Sequence, residues 1–185
     1  VNPLEARARA HELGEELFPA GTVRQTLAIS ARNGKTWALV VLYFTTFGGF
    51  IALTAWLPTY WREYFGASAF TAGALTATFS ILASAVRIFG GSISDRFGGE
   101  TAAIVSLFVL LSGSVVMMLS HSLPVSLIGE ILIALGMGVN NAAVFKLVPQ
   151  EVPEAVGGAA GWVGGLGAFG GFAVPPLMGA FVRGD

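Results

Sequence analysis

The sequence predicts an all-α integral membrane protein, a helical bundle of about five transmembrane helices. Three observations carry that prediction. Hydrophobic residues make up 54% of the 185-residue chain and charged residues only 11%, whereas a soluble domain is about a quarter charged. Mean hydropathy is +0.72, so the chain has too few polar side chains to cover itself and lipid is the matching solvent. The apolar residues also gather into five stretches separated by short polar breaks, each long enough for the roughly 20 residues a membrane helix needs.

The same composition excludes several classes. A formal net charge of -1 without a clustered basic face argues against a nucleic-acid partner. There are no cysteines, hence neither a disulfide framework nor a thiolate metal site. His11 and His121 lie far apart, so no metal or cofactor is expected. The first 35 residues are polar rather than basic-then-apolar, unlike a secretory signal. The chain opens on Val1 rather than Met, and a longer reading frame is expected.

In chain order, residues 1–35 form the polar segment. Leu4 to Phe18 has helix-forming composition, and Pro19 with Gly21 stops it. Thr22 to Asn33 could form a short interfacial helix, in which Leu27 and Ile29 are apolar. The five expected spans are Trp37–Trp61, Phe70–Ile93, Thr101–Ser120, Pro124–Pro149 and Val156–Val182. Their short connections make neighbours antiparallel. Arg7, Arg9, Arg24, Arg32 and Lys35 precede the first span, and Arg96 follows the second. The positive-inside rule then puts residues 1–35, 94–100 and 150–155 in the cytoplasm of a multi-pass protein of the inner or plasma membrane. Trp61, Arg62 and Tyr64 are expected to anchor the first span at the outer interface.

Within this frame Arg87 is the sharpest signal. Counting back from Asp95 at about 1.5 Å per residue places it roughly 12 Å inside the membrane edge, near the middle of a core about 30 Å thick. An arginine at that depth costs at least about 2.5–3.5 kcal/mol and faces a cavity or a partner. Its planar fork of donors suits a small planar oxyanion better than a lysine would. The competing reading pairs Arg87 with a carboxylate or helix carbonyls for structure alone. Tyr43 and Phe47 share one helix face about as deep as Arg87, where a phenol can donate to an anion and ring edges can flank it. Packing is the commoner role for such a pair.

The fourth span holds GMGVNNAAVFKLVPQ, residues 136–150. Asn140 and Asn141 must find partners in the bilayer, Phe145 lies one turn further on, and Lys146 can snorkel to the cytoplasmic interface. Glu130 is ionisable at membrane depth; it either relays protons or pairs with Ser126 and water. In the fifth span, eight of the fifteen residues from Gly157 to Gly171 are glycine. Each costs about 1 kcal/mol against alanine, offset where small residues let backbones approach or border a small polar ligand. Pro175 and Pro176 are expected to bend or end that helix.

Gly91, Asp95, Arg96 and Gly98 spell G-x-x-x-D-R-x-G between the second and third spans. By charge alone this is a solvated turn. Its spacing and place resemble the loop signature of the major facilitator superfamily, in the form found between that family's eighth and ninth helices. The resemblance implies charged and helix-terminus contacts that latch one conformation of alternating access. The usual closing basic pair is absent: Glu100 and Thr101 stand there.

YFTTFGGF at 43–50, RIFGGSISDRFGG at 87–99, NNAAVFKLVPQ at 140–150 and the glycine-rich stretch followed by VPP together resemble the nitrate/nitrite porter family of that superfamily. The resemblance covers about residues 36–182 and matches helices seven to eleven of twelve. It implies secondary transport of nitrate, nitrite or both by alternating access, with proton symport and anion exchange both open. Arg87 is implied as the anion-binding arginine of this half. Tyr43, Phe47, Phe145 and Asn141 are implied to line the pocket, and Gly164 and Gly165 to belong to a glycine signature that lets the eleventh helix slide past its neighbours. Residues 1–35 become a cytoplasmic central loop, and 36–185 a carboxy-terminal transmembrane bundle lacking its final helix. The partners are then a small inorganic anion, membrane lipid and a missing amino-terminal half. A porter for another small anion and a non-transporting membrane module are the alternatives; no enzymatic cluster is visible.

Overall fold

A computed structural model describes residues 22–182. The expected helix at Leu4 to Phe18, its stop at Pro19 and Gly21, and His11 lie outside them. The first helix, α1 (Val23–Arg32), opens on a capping box. Thr22 Oγ1 accepts from the Gln25 amide at 3.3 Å, and Gln25 Oε1 accepts from the Thr22 amide at 2.9 Å. Asn33 then turns the chain and caps α2 (Gly34–Tyr43), its Oδ1 accepting from the Lys35 amide at 3.0 Å.

The first span is not one uniform helix. Between α2 and α3 (Gly49–Phe65) the residues Phe44–Gly48 form a turn of π-helix. That widened turn inserts an extra residue and changes which side chains face the bundle. Gly66, at φ 66°, ends α3. Ser68 caps α4 (Ala69–Phe97) by accepting from the Thr71 amide at 3.1 Å. Gly98, at φ 88°, ends it; the last glycine of the G-x-x-x-D-R-x-G run is thus required by the backbone. α5 (Gly99–Leu119) and α6 (Leu123–Glu151) follow, α6 opening with Pro124 in its first turn. A single 3₁₀ turn, Pro153–Ala155, leads into α7 (Val156–Val182). α7 stays helical through Pro175 and Pro176 rather than ending there, as membrane helices tolerate where neighbouring groups take up the freed carbonyls.

All five expected spans are present: Gly34–Phe65, Ala69–Phe97, Gly99–Leu119, Leu123–Glu151 and Pro153–Ala180 are each long and apolar enough to cross a membrane. Successive spans reverse direction. One end joins Lys35 to Glu151 and Asp95 to Lys146; the other joins Tyr60 to Ser126 and Tyr64 to His121. α6 is the central helix, with 61% of its most apolar stretch buried against 17–33% for the other spans. Phe70, Ile88, Met118 and Phe172 point outward and are more than two-thirds exposed, as lipid-facing residues are.

The core falls into two parts along α6. Toward the Lys35 end, Leu39, Val40, Tyr43, Ala143, Val144, Leu147 and Val163 pack together. Toward the other end, Leu57, Trp61, Phe79, Ala83, Ile133 and Met137 do so. Trp61 corrects the sequence reading. It is fully buried in this second core, not anchored in the lipid interface, because its face of α3 turns onto α6. Tyr64, half exposed, bonds His121 at 2.7 Å there.

Candidate functional site

Between the two cores lies a polar layer built from four helices. Arg87 projects from the middle of α4, half-buried, and its Nη2 donates to Tyr43 Oη at 3.0 Å. The guanidinium carbon stands 5.4 Å from the centre of the Phe47 ring and 6.0 Å from that of Tyr43, within cation–π range. The two rings stack at 4.8 Å and 12°, and Phe145 meets Tyr43 edge-on at 5.0 Å. Neither ion pair among the described residues involves Arg87. Of the guanidinium's five donors, one is used by the phenol.

The π-turn explains how this group assembles. Tyr43 closes α2 and Phe47 lies inside the turn, yet both rings face Arg87 while Thr46 points at α6. Thr46 Oγ1 donates to Asn141 Oδ1 at 2.8 Å. Phe47, Phe50, Ala83, Ser84, Arg87 and Asn141 line a small cavity of about 20 Å³. A larger hollow, about 650 Å³, opens between α4, α5 and α6, but its walls are mainly apolar, such as Val86, Phe89 and Ile93; Thr101 and Ser106 also line it, Ser106 already bonded by Asn140.

The structure therefore brings Arg87, Tyr43, Phe47, Phe145 and Asn141 together. It separates the two asparagines, which the sequence did not. Asn140, one residue and about 100° round α6, donates instead to the Ala103 carbonyl and to Ser106 Oγ, both at 2.9 Å. Gly164 lies beside Phe145, where an added methyl would come no nearer than 3.9 Å to the ring. Gly165 lines a groove under α1, away from Arg87, and has open space around it. Glu130 is buried outside the cavity and accepts from Trp61 Nε1 at 3.3 Å, while Ser126 pairs with Tyr60.

The loop motif has its own geometry. Asp95 pairs with Lys146 of α6, which also donates to the Ser94 carbonyl at 2.9 Å. Lys146 thus does more than snorkel. It supplies a cation to Asp95 where Glu100 and Thr101 cannot. Arg96 lies 5.4 Å from the ring centre of Phe97. Among the described residues no group of three histidine or acidic side chains is placed to hold a metal.

The sequence profile of the Major Facilitator Superfamily matches residues 3–175. The chain belongs to the Major Facilitator Superfamily. It is 36% identical over 166 residues to a probable nitrate/nitrite antiporter, NarK1, of Thermus thermophilus, an alignment covering 80% of this chain and 38% of that protein. It is 34% identical to a probable nitrate transporter, NarT, of Staphylococcus epidermidis, over 82% of this chain and 39% of the relative. It is 32% identical to a nitrite extrusion protein of Bacillus subtilis, over 85% and 40%. The chain spans about two-fifths of the length of these relatives. As a facilitator-superfamily bundle it is an integral, multi-pass membrane protein, and five spans account for nearly all of its described length.

The sequence reading missed the contacts that bring α5 and α6 together. A methyl on Gly113 would stand 2.6 Å from the Gly129 carbonyl, and one on Gly136 2.6 Å from the Ser106 carbonyl. The signal was present as small residues seven apart, Ser106 and Gly113 on one helix and Gly129 and Gly136 on the other.

Proposed function

We propose that this chain forms one half of a nitrate/nitrite porter working by alternating access, with Arg87 as its anion ligand. The observation that carries the proposal is a guanidinium well inside a membrane-length helix, held by a phenol and two aromatic faces, with no carboxylate bonded to it among the described residues. A half-buried cation so placed retains donors for an anion, and planar donors match a planar or bent oxyanion. Tyr43 orients the fork, Phe47 and Phe145 wall it, and Asn141 offers an amide at the cavity edge. The names of the relatives in Thermus, Staphylococcus and Bacillus support the substrate class.

In this reading residues 1–35 are a cytoplasmic central loop and residues 36–185 the carboxy-terminal bundle. An amino-terminal half supplies the facing wall of the site, and the end bearing Lys35, Asp95 and Lys146 is cytoplasmic. The substrate crosses chemically unchanged, so the protein is a porter rather than an enzyme. Anion binding would neutralise Arg87 and ease closure of the two halves. The test is nitrate and nitrite flux into liposomes holding the complete native polypeptide, with and without Arg87→Lys. Flux in wild type that is lost in the folded variant supports the site; no flux in well-folded wild type discards the substrate.

A further inference from the structure

We propose that Gly167 of α7 is a positioning residue for the small-oxyanion site, because its bare backbone is the seat of the Tyr43 ring. This rests on the anion-site reading above and locates, within a run of eight glycines, the one that acts on the site. A methyl built on Gly167 would lie 2.5 Å from Tyr43 Cδ1, 2.9 Å from its Cβ and 3.1 Å from its Cγ. Normal carbon–carbon contact is about 3.5–4.0 Å, so the ring would have to shift by about 1 Å. The clash is at the root of the side chain, not at a flexible tip. Rotation cannot relieve it.

Neither partner has room to retreat. Tyr43 is 3% exposed, with Phe47 stacked on one side, Phe145 edge-on and Arg87 at its hydroxyl. α7 is held by backbone contact on the same turn: a methyl on Gly48 would stand 2.7 Å from both the Gly167 carbonyl and Gly170 Cα. One on Gly170 would stand 2.8 Å from the Phe44 carbonyl. The glycine-rich helix therefore presses its bare surface onto the π-turn and the tyrosine before it. Gly164 and Gly165 have ordinary or open surroundings, and a methyl there leaves Tyr43 alone. In a close-packed interior the displacement at Gly167 is transmitted to the phenol, and the hydroxyl loses its 3.0 Å contact with Arg87.

The experiment measures nitrate uptake by the complete native polypeptide in liposomes for wild type, Gly167→Ala, Tyr43→Phe, the double variant and Gly157→Ala. The expected result is a nitrate KM raised about 10-fold in Gly167→Ala with Vmax changed less than about 3-fold, since oriented binding is lost but turnover is not. Tyr43→Phe should raise KM similarly, and the double variant should be no worse than either single one. Gly157→Ala, on the same helix and with nothing within 4 Å of an added methyl, should match wild type. A wild-type KM in Gly167→Ala, or effects of the two substitutions that multiply, overturns the proposal. If Gly167→Ala does not fold, Tyr43→Ala should restore folding by vacating the space, and no rescue also overturns it. Absence of nitrate and nitrite flux in wild type strikes at the anion reading instead. The seat is then read by phenylglyoxal modification of Arg87, which should be faster in Gly167→Ala than in wild type; equal rates would refute it.

Discussion

Lys146 of α6 is paired with Asp95 at the end of α4, and its ammonium also reaches the Ser94 carbonyl at 2.9 Å. The pair ties the loop motif to the central helix of the bundle. Its side chains are 24% and 75% exposed, so solvent screening limits its worth to under about 1 kcal/mol. Lys146→Met and Asp95→Asn should each leave the thermal midpoint within a few degrees of wild type. If the pair latches one conformation, both should lower transport Vmax with the anion KM unchanged, and the exchanged pair Lys146→Asp with Asp95→Lys should recover it. Failure of the exchange would reduce the contact to packing.

Glu130 is 1% exposed, takes a single hydrogen bond from Trp61 Nε1, and its Oε2 has no partner among the described residues. A buried charge without a cation is costly, so the neutral isostere should be at least as stable. Glu130→Gln is expected to melt at or above wild type in detergent. Glu130→Ala, which frees the indole and opens a cavity, should lose about 1–3 kcal/mol. A clear drop in the melting point of Glu130→Gln would mean that the charged form is compensated in the native fold.

The glycines divide into those that touch backbone and those that do not. Gly136→Ala would put a methyl 2.6 Å from the Ser106 carbonyl and 2.8 Å from Leu110 N, forcing α5 and α6 apart at about 1–3 kcal/mol. Gly165→Ala meets nothing within 4 Å and gains up to about 1 kcal/mol of helix propensity. Thermal unfolding of the two variants should move in opposite directions.

Two indoles hold α1 on the bundle. Trp162 Nε1 donates to the Leu27 carbonyl at 3.0 Å and Trp37 Nε1 to the Ala31 carbonyl at 2.8 Å, the rings lying 5.7 Å apart. Trp162→Phe removes one bond, worth about 1 kcal/mol. Amides of Val23–Arg32 should then exchange about 5-fold faster by hydrogen–deuterium exchange. Unchanged protection would show that the Trp162 bond does not contribute to docking the helix.

The sequence by itself determined the number of spans, their order and the place of Arg87 inside the second of them. Those follow from apolar length, from short connections and from the cost of burying charge, all additive along the chain. Its motifs also brought Tyr43, Phe47, Phe145 and Asn141 into one expected group with Arg87. The tertiary structure decided what each side chain meets. It placed Trp61 inside the core, sent Asn140 to α5 but Asn141 to Thr46, and gave Asp95 its cation from Lys146. It also showed that Gly167 lies against Tyr43 while Gly165 faces open space. These outcomes depend on how each helix is rotated and how closely it approaches its neighbour. The π-turn at Phe44–Gly48 sets part of that rotation, and neither hydropathy nor local spacing encodes it.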